Sequence, residues 1–205
     1  GRPGAGVCPV RGHSNVQGDR TMGIFERMPE AFHDRLDAEF DFASPRRHGF
    51  DTVNAIRAMR DSKVRVFMAM GGNFIRATPD SAVTEDALRN TALTVQVSTK
   101  LNKSHLVHGR RALILPALGR TDRDTQAGGD QRVTVEDSMS AVHASQGRLD
   151  PPGPEVRSEV AIVCELSERL FNGSHAPFHE NAPKLDWIGA RADYSLIRRH
   201  IENVI

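Results

Sequence analysis

The chain has 205 residues, 39% of them hydrophobic, enough to bury one core with appendages. Its 27 basic and 26 acidic side chains leave a formal charge of +1, which gives no footprint for a nucleic acid or an anionic membrane as partner. No apolar run reaches the roughly 18 residues of a membrane-spanning helix, and Cys8 and Cys164 lie far apart without Cys-x-x-Cys spacing, so the chain reads as cytoplasmic, with free thiols and no iron–sulfur cluster or structural zinc of its own.

The first element is a dense run from Gly6 to Gly23, in which glycines punctuate compact polar donors around Arg11. Arg11, His13, Asn15 and Gln17 alternate, which places them on one face of an extended strand built to lie against a ligand. Cys8 sits beside Pro9 with no positioned base nearby, and reads as a small packed side chain rather than a nucleophile or metal ligand. Because the sequence runs straight into this motif, the expectation is a central piece of a longer polypeptide.

Residues 25–50 mix Phe25, Phe32, Phe40, Phe42 and Phe50 with Pro29 and Pro45, the pattern of an irregular arm, so residues 1–50 are assigned as an N-terminal arm. Thr52 to Asp61 is expected to be a short helix with Val53, Ile56 and Met59 on one side. Val64 to Met70 is an apolar, β-branched strand that stops at Gly71-Gly72-Asn73. Thr78-Pro79-Asp80 supplies a cap and a first-turn proline for a helix reaching Asn90. Leu93 to Val97 is a second strand, Ser104 to His108 a helical turn, and Ala112 to Leu115 a third strand ending at Pro116.

Strands and helices that alternate over short links make a parallel sheet, so residues 51–150 are expected to form a three-layer, Rossmann-like α/β domain. Ligands of such sheets sit beyond the carboxyl ends of the strands. The loops at those ends are Met70 to Thr78, Ser98 to Ser104 and Pro116 to Asp124, rich in small donors that suit phosphates, ribose and a guanine edge. Neither the G-x-G-x-x-G fingerprint nor a P-loop occurs. After a stiff Pro151-Pro152-Gly153-Pro154 linker, residues 151–205 carry a helix from Glu159 to Phe171 and a last one from Tyr194 to Val204. His175 and His179 flank Pro177, which argues against a helical metal pair.

The run from Gly1 to Thr21 resembles the P-V-R-G-[Q/H]-[N/S]-N-V-Q-G segment of the molybdopterin oxidoreductases of dimethyl sulfoxide reductase type, most nearly in their formate dehydrogenase alpha-subunit-like branch. Met70-Gly71-Gly72-Asn73-Phe74 resembles that family's M-G-x-[ND]-[PF] turn. Val97 to Leu106 is similar to the loop after its next strand, with Ser98 where formate dehydrogenases usually carry Asp. Leu113-Ile114-Leu115-Pro116 matches its V-I-L-P, and Arg157-Ser158-Glu159 falls where it has an acidic residue before an apolar helix.

The resemblance implies a molybdenum bis(molybdopterin guanine dinucleotide) cofactor, or its tungsten counterpart, that performs the redox step. It implies a catalytic role for Arg11 beside the metal, orienting a small anionic substrate. It assigns Gly12, His13, Asn15 and Gln17 to the pterin, and Gly71, Gly72, Asn73, Ser98, Thr99, Lys100, Asn102 and Glu159 to one guanine dinucleotide, with Glu159 accepting from the guanine edge. The metal ligand, and a 4Fe-4S cluster where one exists, belong to upstream sequence. The remaining partners implied are the rest of the polypeptide and an electron-transfer protein. His13 stands where formate dehydrogenases carry Gln, so formate is one candidate substrate among others. The alternative class is a non-catalytic nucleotide-binding sensor or scaffold that keeps the fold.

Overall fold

The computed structural model describes residues 2–6, 15–172 and 176–205. Its first helix, α1 (Val16–Thr21), replaces the second half of the expected extended strand. The cause is tertiary: Asn15, at the helix start, accepts from the Glu136 backbone N–H through Oδ1 at 2.9 Å, and the Thr21 hydroxyl donates to Glu136 Oε2 at 2.7 Å, so both ends of the turn are pinned to one distant residue. A second helix, α2 (Glu30–Phe40), lies inside the stretch expected to be irregular. Pro29 precedes its first residue, where the missing N–H costs nothing, and Asp41 ends it in a left-handed conformation with φ 46°.

The α/β region follows the expected order. Helix α3 (Thr52–Arg60) starts at Asp51, whose Oδ1 accepts from the Asn54 N–H at 2.8 Å. Strand β1 (Val66–Met70) leads through α4 (Phe74–Ala77) to α5 (Ser81–Arg89). Asp80 is the cap of α5, accepting from Val83 N–H at 3.1 Å, so Pro79 lies before the cap and not in the first turn. Strand β2 (Leu93–Ser98), a 3-10 turn at Lys103–Leu106 and strand β3 (Arg111–Pro116) complete the unit.

The sheet is parallel in the order β1-β2-β3, with Met68 opposite Val95 and Val95 opposite Leu113. The fold is therefore mixed α/β with a Rossmann-like parallel sheet. On one face Ile56 and Met59 of α3, Ile75 of α4, Ala87 and Leu88 of α5 and Val107 form the core, with Phe67 of β1 packed against it. Each fully buried large side chain there contributes about 1.5–3 kcal/mol. The other face shows a row of partly exposed apolar side chains, Val66, Met68 and Met70 of β1 and Leu113 of β3.

Beyond β3 come two hairpins that the sequence did not announce, β4 (Thr125–Gln126) with β5 (Gly129–Asp130), and β6 (Val133–Glu136) with β7 (Val142–Ser145). Helix α6 (Glu159–Ser167) starts at the expected residue and widens into a π turn at Glu168–Asn172. Helices α7 (Trp187–Ala192) and α8 (Ser195–Val204) follow. Helix α8 docks on α2, where Phe32, Leu36 and Phe40 face Ile197 and Ile201 across a small apolar cavity. Glu39 Oε1 accepts from His200 Nδ1 at 2.6 Å and from Asn203 Nδ2 at 2.9 Å at the rim of that contact. Among the described residues, no helix is long and apolar enough to cross a membrane.

Candidate functional site

All three strands point their carboxyl ends to one edge of the sheet, as parallel pairing requires. After β1 the chain turns through Gly71 and Gly72, both left-handed at φ 71° and 72°, with open space where a Cβ would stand. The polar side chains that follow are engaged with one another. Asn73 Oδ1 accepts from Ser104 Oγ at 2.8 Å, and Ser104 Oγ accepts from the buried Ile75 N–H at 3.1 Å. Asn102 donates to Gly72 O at 2.7 Å and accepts from Ser104 N–H at 2.9 Å, while Gln96 Nε2 donates to Ser104 O at 2.7 Å. Ser98 Oγ donates to the Lys100 carbonyl at 2.8 Å. These bonds sew the loops after β1 and β2 into one unit.

The loop after β3 is built differently. It leaves the sheet at Ala117, whose N–H donates to Ser98 O at 3.1 Å, and Leu118 N–H donates to Arg157 O at 2.9 Å, which draws the start of α6 alongside. Asp122 Oδ2 accepts from Gly119 N–H at 2.7 Å and closes a tight turn around Arg120. Gly147 rests on this turn so closely that a Cβ would stand 1.9 Å from Asp122 O. Between the turn, residues Val133 and Ser145 of the β6–β7 hairpin and the start of α6 lies a cavity of about 840 Å³.

Lys100, Arg120 and Arg132 border this cavity. All three are exposed and carry no ion pair among the described residues, in contrast to Arg123 nearby, which pairs with Asp130 and Asp150. Glu159, the first residue of α6, also borders the cavity, and its carboxylate makes no hydrogen bond or ion pair among the described residues. A cluster of unpaired cations beside a carboxylate suits a ligand that is anionic at one end and offers N–H donors at the other.

The inner wall is a buried polar network. The Tyr194 hydroxyl donates to Asp124 Oδ2 at 2.5 Å and lies 2.7 Å from Ser158 Oγ, which in turn accepts from Ala161 N–H as the cap of α6. Burial, and then the bond to Asp124, push the Tyr194 phenol well above its ordinary pKa. Burial likewise raises the Cys164 thiol, which marks it as a packed side chain and not a reactive thiolate.

Of the residues singled out in the sequence, Thr99, Lys100 and Glu159 line the cavity. Gly71, Gly72, Asn73, Ser98 and Asn102 lie at the same sheet edge but outside its lining, with the side chains of Asn73, Ser98 and Asn102 bonded within the loops. Gln17 lies within α1. Asn15 bonds to Glu136 of the hairpin whose Val133 and Ser145 border the cavity. Arg11, Gly12 and His13, with Cys8, fall outside the described residues. Arg120 and Asp124 fall within the strand-end loop Pro116 to Asp124 picked out in the sequence, though neither was named there as a site residue, whereas Arg132 and Tyr194 carry no local signal. The described residues contain no group of three or more His, Cys, Asp or Glu arranged to hold a metal ion.

No protein family's sequence profile matches the chain. All 205 residues align at 64% identity with 25% of an uncharacterized oxidoreductase of Mycobacterium tuberculosis. The same span is 42% identical to 26% of the protein YdeP of Escherichia coli. A more distant match, 24% identical over 180 residues and 84% of this chain, covers 25% of the F420-dependent formate dehydrogenase 1 subunit alpha of Methanococcus maripaludis. The chain thus spans about a quarter of the length of these relatives.

Proposed function

We propose that this chain is the nucleotide-holding part of an oxidoreductase that carries a molybdenum bis(molybdopterin guanine dinucleotide) cofactor, or its tungsten counterpart. The observation that carries the reading is the trio Lys100, Arg120 and Arg132, unpaired among the described residues around a large cavity at the carboxyl edge of a parallel sheet. The names of the mycobacterial relative and of the methanogen formate dehydrogenase support the redox class, and the opening motif supports the pterin.

The donor set fits one guanine dinucleotide. Lys100, Arg120 and Arg132 would hold the diphosphate, and the Thr99 hydroxyl is a further donor at the same wall. The Glu159 carboxylate would accept from guanine N1–H and the exocyclic amine, a pairing that adenine cannot offer. When bound, the cofactor supplies two-electron transfer through its metal. The chain binds and orients: cations neutralise the diphosphate, the glycine turn at 71–72 leaves backbone open to close approach, and Arg11 directs an anionic substrate, formate or another small acid, by its fixed charge.

The test uses the intact polypeptide that contains this chain. Acid-released guanine nucleotide and metal content are measured for the wild type, for the triple variant Lys100→Ala/Arg120→Ala/Arg132→Ala, and for Arg11→Ala. Guanine nucleotide with molybdenum or tungsten in the wild type, both depleted in the triple variant, is the expected result. An active wild type that holds neither metal nor guanine overturns the cofactor. Arg11→Ala is expected to keep its metal and lose turnover; unchanged turnover removes its catalytic role. Guanine nucleotide without any metal would instead favour the sensor or scaffold class.

A further inference from the structure

Tyr194 is 2% exposed and sits between α7 and α8, far in sequence from the loops it touches. Its contacts can be given a direction by counting protons. The phenol has one proton and donates it to Asp124 Oδ2, so the 2.7 Å contact with Ser158 Oγ must use the serine proton. Ser158 Oγ then accepts from Ala161 N–H at 3.2 Å. The result is a one-way chain, Ser158 to Tyr194 to Asp124, in which every hydroxyl both donates and accepts. Asp124 is held on its other oxygen by Gln126 Nε2 at 2.6 Å.

The backbone of the same residue is fixed as firmly. Tyr194 N–H donates to Gln131 Oε1 at 2.9 Å, and Gln131 Nε2 donates to Gly129 O at 2.9 Å and to Ala192 O at 3.3 Å. Gly128 N–H donates to Ala192 O at 3.0 Å, and a Cβ on Gly128 would stand 2.6 Å from that oxygen. The β4–β5 hairpin is therefore clasped to the turn between α7 and α8. Asp124, Gln131, Ser158 and Tyr194 all border the cavity.

We propose that Tyr194 is a positioning residue for the nucleotide cavity: it ties the loop after β3, which carries Arg120, to the cap of α6, which carries Glu159, and so fixes the span between the groups that take the diphosphate and the base. A diphosphate and a purine are recognised together only if that span is preset; the backbone contact of Leu118 with Arg157 lays the two segments side by side, and the Tyr194 hydroxyl adds a side-chain tie at Ser158, next to Glu159. The inference rests on the nucleotide reading given above.

The experiment uses GDP as the probe and calorimetric titration as the readout. The protein is the intact polypeptide purified from cells unable to make the pterin cofactor. Tyr194→Phe keeps the ring and removes the link, and it is expected to weaken GDP at least roughly tenfold with unchanged stoichiometry. A purely structural role would lower the number of competent sites and leave the affinity of the remainder intact. Ser158→Gly gives a second route should Tyr194→Phe fail to fold, since glycine caps a helix nearly as well as serine but cannot donate to the phenol; it is expected to weaken GDP in the same way. Wild-type affinity in either folded variant overturns the positioning role while leaving the nucleotide reading in place. A wild type that binds no GDP overturns both.

Discussion

Two groups of polar residues share one edge of the sheet and do opposite things: those that sew the loops after β1 and β2 together, and those that border the cavity beside the turn after β3. Asn73, Asn102 and Ser104 satisfy one another and the buried Ile75 N–H. Among the described residues, the side chains of Lys100, Arg120 and Arg132 are left without partners around a cavity of about 840 Å³. A polar residue at the ligand end of a strand is thus not by that fact a ligand contact. What separates the two regions is whether the hydrogen-bonding capacity is already met inside the fold.

The difference can be broken from either side. Gly147→Ala has the largest expected effect, because its Cβ would meet the Asp122 backbone at 1.9 Å and no rotamer can relieve the clash. A loss of about 3 kcal/mol in denaturant titration is expected, with GDP affinity falling alongside as the turn around Arg120 shifts. Ser104→Ala should cost about 2 kcal/mol by leaving the Ile75 N–H without its acceptor. GDP affinity of the folded protein should stay unchanged, and a change would mean that this network also sets the place of Thr99 and Lys100 in the same loops.

Arg120→Ala reverses that pattern. Stability should hold within about 0.5 kcal/mol, as for an exposed side chain without partners among the described residues, while GDP binding weakens by about 1.5 kcal/mol, the value of one charge-assisted hydrogen bond. The smallest effect lies away from both regions and serves as their control. Hydrogen bonds from Asn203 and His200 hold the Glu39 carboxyl below its ordinary pKa. A depressed folded value means that its contribution is complete above the ordinary glutamate range and is lost as the pH falls through the lowered value. Amide exchange at the α2–α8 contact should therefore quicken under acid below that range, Glu39→Gln should flatten the response, and neither loop region should follow it.

The parallel sheet was legible because its signals are local. The apolar runs read at 64–70, 93–97 and 112–115 end at Gly71, Ser98 and Pro116 and fall on the three strands, while the caps at Asp51 and Asp80 were settled by the structure. Helix α2 was hidden by the scatter of phenylalanines between Pro29 and Pro45, which becomes a stripe only when Phe32, Leu36 and Phe40 meet α8. The alternation of Asn15 and Gln17 suggested a strand, but Glu136, over a hundred residues away, fixes the start of α1. The hairpins at 125–130 and 133–145 have strands of two to four residues, too short to leave a period.

The amino-acid sequence by itself determined the alternation of helix and strand and the edge at which the three strands end, since each follows from nearest neighbours along the chain, while Lys100 and Glu159 were singled out through the family resemblance. Tertiary structure alone decided which polar groups remain available there. It brings Lys100, Arg120, Arg132, Ser158 and Tyr194 from distant stretches to one cavity and engages Asn73 and Asn102 with each other's loops. Whether a donor has been satisfied depends on neighbours in space, and no local pattern records them.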